Sequence, residues 1–166
     1  MRLQYACAFV ALALLCGCSG ATVPLGRDTL RPLERVRVIR VVQESLAARG
    51  LRPEAGRVVR VAGRVSVDCD VPIAGSHDCV EYVAEADRAR YRSAVPAHDN
   101  PDALVVVATA EGDSGGHVLF LDDRDFLYES DLDRTGPNHP TVGEVEDRVR
   151  RVALDFAVWL RGHGRR

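Results

Sequence analysis

TVGEVEDRVRRVALDFAVWLRG, Thr141 to Gly162, is the most regular stretch of the chain. Its apolar residues Val142, Val145, Val149, Val152, Phe156 and Leu160 recur at three- and four-residue steps, which predicts one helix with a single apolar stripe. Thr141 and Glu144 have capping-box spacing, in which hydroxyl and carboxylate satisfy the free amides of a helix start reciprocally. Gly162 suits the stop, and Arg161 and His163 complement the negative end of the helix dipole. Trp159 lies near the stripe, where packing outweighs a binding role.

Immediately upstream the periodicity changes. LVVVATAEGDSGGHVLFLDDRDFLYES, Leu104 to Ser130, holds three apolar runs, at 104–110, 118–121 and 126–130, separated by short turn-rich connections. That pattern predicts an antiparallel meander. The unbroken Val105-Val106-Val107 predicts that 104–110 is a central strand covered on both faces. Asp122, Asp123 and Asp125 read as a solvated turn.

Towards the N-terminus, residues 57–69 alternate, with Val59, Val61, Val65 and Val67 on one side, and read as a strand with a bulge at Gly63. Residues 32–49 carry Leu33, Val36, Ile39, Val42 and Leu46 on one face, between Pro32 and Gly50, and predict a first helix. Arg35-Val36-Arg37-Val38 alternates as a strand would, but the longer periodicity favours helix. In 80–94, Val80, Tyr82 and Ala84 alternate while the alanine, glutamate and arginine content favours helix; helix is the reading taken. The expected architecture is α+β: an antiparallel sheet of about four strands, packed on one face by an N-terminal and a C-terminal helix.

Residues 1–17 form a leader. Arg2 is followed by an apolar run from Tyr5 to Leu15, about half the length needed to span a bilayer, as in a secretory signal. Leu15-Cys16-Gly17-Cys18 then resembles the bacterial lipobox, a resemblance confined to this leader. It implies cleavage before Cys18 and diacylglycerol on the Cys18 thiol, with enough buried methylenes for durable anchoring. Leu15 directly before Cys16 fits the small-residue requirement poorly, so Cys18 is the lipidation site. Ser19 after it resembles the outer-membrane sorting type, which places the product on the periplasmic face of that membrane. Residues 18–31 read as lipidated cysteine and tether, and 32–166 as one α+β domain.

Cleavage leaves 149 residues with 21 basic and 24 acidic side chains, a net charge of −3. Nucleic acid is therefore not an expected partner. Every basic side chain is arginine, which excludes Schiff-base chemistry and a phosphate-loop lysine. Two cysteines remain beyond the leader and the lipid, Cys69 and Cys79, and the compartment implied by the lipobox makes them a disulfide pair.

Two strings invite chemistry. Gly112-Asp113-Ser114-Gly115-Gly116 resembles the nucleophile loop of trypsin-like serine proteases, which implies a histidine beside Ser114. The settings of His77 and His98 do not match that family, and a glycine-rich hairpin turn explains the five residues. Asp131-Leu132-Asp133-Arg134-Thr135-Gly136 opens like a calcium loop, yet Val142 stands where the bidentate glutamate belongs, and Pro137 follows the glycine. An irregular cation site on Asp131, Asp133 and Glu144 is the residual form of that reading. The histidines lack metal spacing, so no cofactor or metal is expected.

The functional expectation is a membrane-anchored envelope lipoprotein. It is a non-enzymatic accessory or binding module that meets another envelope protein through an open sheet edge or the uncovered sheet face. The alternative is a small periplasmic hydrolase using Ser114.

Overall fold

Two strands buried almost along their whole length organise the molecule, and a computed structural model describes it over residues 30–61, 65–110, 115–130 and 139–163. They are β5 (Cys79–Val83) and β7 (His117–Asp122), paired in parallel from Cys79 opposite Val118 to Val83 opposite Asp122. β4 (Val71–Pro72) flanks β5, and β6 (Val105–Ala108) flanks β7, both antiparallel, giving the order β4-β5-β7-β6.

Alternation along β5 and β7 sends side chains to two separate cores. Val80, Tyr82, Leu119 and Leu121 join a helical layer made by α1 (Arg35–Ala48) and α3 (Val142–His163). Cys79, Val83, Val118 and Phe120 face the opposite way. There they meet Val59, Val61 and Val67 of a hairpin, β2 (Arg57–Val61) and β3 (Val65–Cys69), and Tyr91 of α2 (Glu85–Tyr91). A bridge between Val61 and Thr109 brings the hairpin alongside the end of β6. The domain thus has three layers: helices, mixed sheet, and hairpin with α2.

This is an α+β domain with N- and C-terminal helices on the sheet, as the periodicities imply. Four finer expectations are corrected. The four-stranded sheet is mixed, because after α2 the chain runs back along the edge strand β6 and then turns into β7, which therefore lies parallel to β5. The face opposite the helices is not open, because the hairpin fills it. Strand β6 lies at the edge of the four-stranded sheet, and the central positions go to β5 and β7. The third apolar run forms β8 (Leu127–Glu129), which pairs with β1 (Leu30–Pro32) rather than with β7.

That last pairing moves two further boundaries. Leu30 and Arg31, expected in the tether, already belong to the fold, and Pro32 ends a strand instead of starting a helix. The single strand expected over 57–69 is two strands. Val59 pairs with Val67 and Val61 with Val65, so the four valines do share a face, across a reversal instead of along one strand. The bulge expected at Gly63 lies outside the described residues.

Helix ends follow their local chemistry. Gly50, at φ +76°, donates to the Ala47 carbonyl while Leu51 donates to that of Leu46, the pairing that closes a helix through a left-handed glycine. At the start of α3 the Glu144 amide donates to Thr141 Oγ1 at 3.2 Å and the Thr141 amide to Glu144 Oε2 at 2.7 Å. The capping box is formed as its spacing predicts. Beneath it Val145, Val149, Val152, Phe156 and Leu160 are all buried.

Candidate functional site

Glu81 lies in the middle of β5 with no exposed surface. Strand alternation puts it on the same face as Cys79 and Val83, beneath the hairpin and α2. Its Oε2 accepts the Asp70 amide at 3.1 Å, and its Oε1 accepts the Tyr91 hydroxyl, also at 3.1 Å. Tyr91 in turn accepts the Asp68 amide at 3.2 Å. One buried carboxyl therefore joins the central sheet to the β3–β4 corner directly and to β3 through α2.

Arg35, in the first turn of α1, closes the group. Its Nη1 donates to both oxygens of Asp70 at 2.9 and 3.0 Å and stands 3.7 Å from Glu81 Oε1. Its Nη2 donates to Asp87 at the start of α2. Asp70 also accepts the Tyr82 amide at 3.0 Å, and Asp87 the Ala84 amide at 3.1 Å. Three carboxyls thus surround one guanidinium. Burial above all, then the charge of Asp70, push the Glu81 carboxyl up to about 9, while Arg35 and the Tyr91 hydroxyl pull the other way. The Arg35 guanidinium loses hydration, yet its acidic neighbours outweigh that loss and raise its affinity for its proton.

A cleft of about 410 Å³ opens beside this group, within the size range of small-ligand sites. Arg35, Arg57, Asp68 and Asp70 line it together with Gly56, Val58 and Cys69. It offers guanidinium and carboxylate groups at one mouth, chemistry suited to a small polar or zwitterionic ligand or to a partner side chain. The sulfurs of Cys69 and Cys79 lie 1.96 Å apart, at disulfide distance, and tie β3 to β5 at the cleft wall.

A second cleft of about 220 Å³ lies between α3 and the 73–78 segment, lined by Ser76, Asp78, Leu160 and Arg161 among others. Nearby, Asp78 Oδ1 accepts the His117 amide at 2.9 Å and lies 3.1 Å from Nδ1 of its ring. That ring stands edge-on to Trp159 at 4.7 Å, and His163 stacks on the same indole at 4.3 Å. Trp159 is thus a packing centre for two imidazoles.

The acidic run after β7 is corrected from a solvated turn to a buried one. Asp122 is 2 % exposed and receives Arg88 Nη1 at 2.9 Å and Arg124 Nη2 at 2.6 Å. Burial works against its charge, but the hydrogen bonds from Arg124 and the attraction of Arg88 hold its carboxyl below the usual range. Asp123 also pairs with Arg88, and Asp125 lies 2.7 Å from His98 Nε2.

The residues singled out by motif fall differently. Cys18, Ser114, Asp131 and Asp133 lie outside the described residues. His98 is engaged by Asp125, and the backbone and Cβ of His77 press against Gly116 in the β6–β7 connection. Glu144 is committed to the helix cap. Among the described residues no group of three or more His, Cys, Asp or Glu side chains is arranged to hold a metal ion, and no helix is long and apolar enough to cross a membrane.

Sequence reasoning did not find Arg35, Asp70, Glu81, Asp87 and Tyr91. One signal was present: a lone glutamate inside Cys79-Val80-Glu81-Tyr82-Val83, where the flanking residues demand burial. No family model matches the chain, and no curated protein or solved structure matches it.

Proposed function

We propose that the chain is the precursor of a lipid-anchored envelope lipoprotein whose folded domain is a non-enzymatic accessory or binding module. The observation that carries this reading is Leu15-Cys16-Gly17-Cys18 directly behind a short apolar run. Cleavage there leaves a lipidated cysteine twelve positions before Leu30, where β1 begins. Twelve residues at ~3.4 Å each reach about 40 Å, so the domain hangs close to its membrane. A cysteine pair at disulfide distance suits an oxidising compartment.

Binding is assigned to the cleft between α1 and the hairpin. Its mixed charges form a polar recognition surface beside a rigid sheet, and the residues that shape it are held by the Arg35 cluster. The partner contacted there is another envelope component, reached while the lipid holds the domain at the bilayer.

Metabolic labelling with an alkyne fatty acid in a bacterial host tests the anchor. Wild-type protein is expected to take up label and to partition with membranes. Cys18→Ser is expected to lose both properties, whereas Cys16→Ser keeps them. Label that persists in Cys18→Ser, or an unlabelled wild type, overturns the reading.

A further inference from the structure

Glu81 is a buried acid whose neighbours come from every layer of the domain. From α1 comes Arg35; from the β3–β4 corner, Asp70; from α2, Asp87 and Tyr91. From β7 it faces the register partner Phe120, which is apolar, and on its own strand it is flanked on the same face by Cys79 and Val83. Asp68 of β3 turns its carboxylate to Arg90 and offers Tyr91 its amide. With Glu81 neutral, two carboxylates share the Arg35 guanidinium. With Glu81 ionised there are three, in a site without access to water for the third.

We propose that Glu81 is the bolt of a proton-operated latch: protonated, it seats α2 and the β3–β4 corner on β5; ionised, it loosens α2 and the hairpin that walls the 410 Å³ cleft. The coupling is direct, because Asp70 and Arg35 belong both to the cluster and to the cleft lining. Burial of the charge and its repulsion by Asp70 and Asp87 force the site apart, against the firmer hold of the Asp70 amide and the Tyr91 hydroxyl on an ionised carboxylate. This inference rests on the domain's own geometry and stands whether or not the lipid anchor does.

The direction of the pH effect follows from proton uptake. An unfolded glutamate releases its proton near 4.5, and the folded one near 9. Between those values folding takes up a proton, so the stabilisation is fully present below about 4.5 and is lost as pH rises towards 9. The latch is tight in acid and loose in alkali.

Thermal unfolding of wild type and Glu81→Gln, followed from pH 5 to pH 9, tests this. The wild-type midpoint is expected to fall by at least about 10 °C more than that of Glu81→Gln across the window. All histidines are common to both proteins, so the difference isolates residue 81. Parallel curves overturn the proposal. Should Glu81→Gln not fold, carboxyl-carbon NMR of glutamate-labelled wild type reads the group itself: one glutamate titrating above about 7 is expected, and all titrating below about 7 overturns the proposal. Hydrogen exchange then reads the latch, with protection of the Asp68 and Asp70 amides, corrected for intrinsic rates, expected to drop at least about tenfold between pH 6 and pH 9. Equal protection at both pH values overturns the latch.

Discussion

Gly116 shows what a single residue does at the junction of two segments. A Cβ built there overlaps the backbone and Cβ of His77, so only hydrogen fits where the β6–β7 connection passes the 73–78 segment. Gly116→Ala is expected to cost about 1–3 kcal/mol, read as a lowered midpoint in denaturant. In sequence this glycine belonged to a string resembling a protease nucleophile loop. Of that string Gly115 and Gly116 are described, and Gly116 is explained by passage of the chain, since the Thr109 amide donates to the Gly116 carbonyl at 2.7 Å and the Gly116 amide to Thr109 Oγ1 at 3.1 Å. Glu81 was hidden for the opposite reason. Its neighbours gave both an alternating and a helical reading, and the ion that fixes it, Arg35, lies 46 positions away on another element. Pairing over that distance leaves no local pattern.

Elements with self-contained signals were the legible ones. The last helix carries its cap and its stripe within one window, and both are present in α3, which runs on through Gly162, the expected stop, to His163. Thr141→Ala is expected to cost about 1 kcal/mol, measured as a shift in chemical unfolding, with no change in the buried stripe. Strands fared less well because partners are not written into them. Residues 104–110 carry three consecutive valines yet form an edge strand, while Cys79–Val83, interrupted by Glu81, holds a central place. Tertiary contact decided both. Likewise the alternation over 57–69 was a true sign of one buried face but silent about the reversal between Val61 and Val65. The segment expected as a helix from Val80 divides at Ala84, strand before and helix after, because Asp87 caps the new helix by accepting the Ala84 amide.

Across the domain, three layers bury both faces of a mixed sheet, so the proposed binding is assigned to the cleft between α1 and the hairpin rather than to an open sheet face. That cleft was illegible in sequence, since its walls come from residues 35, 56–58 and 68–70. The signal read as a leader is entirely local, and on it rests the proposal that the domain works outside the cytoplasm on a lipid anchor. Intact-mass analysis of the protein purified from bacterial membranes decides whether the anchor is there. The expected product is a polypeptide beginning at Cys18, heavier than its residues by a diacylglycerol and further acyl carbon. A full-length chain retaining Met1, or a cleaved chain with a bare Cys18, contradicts it.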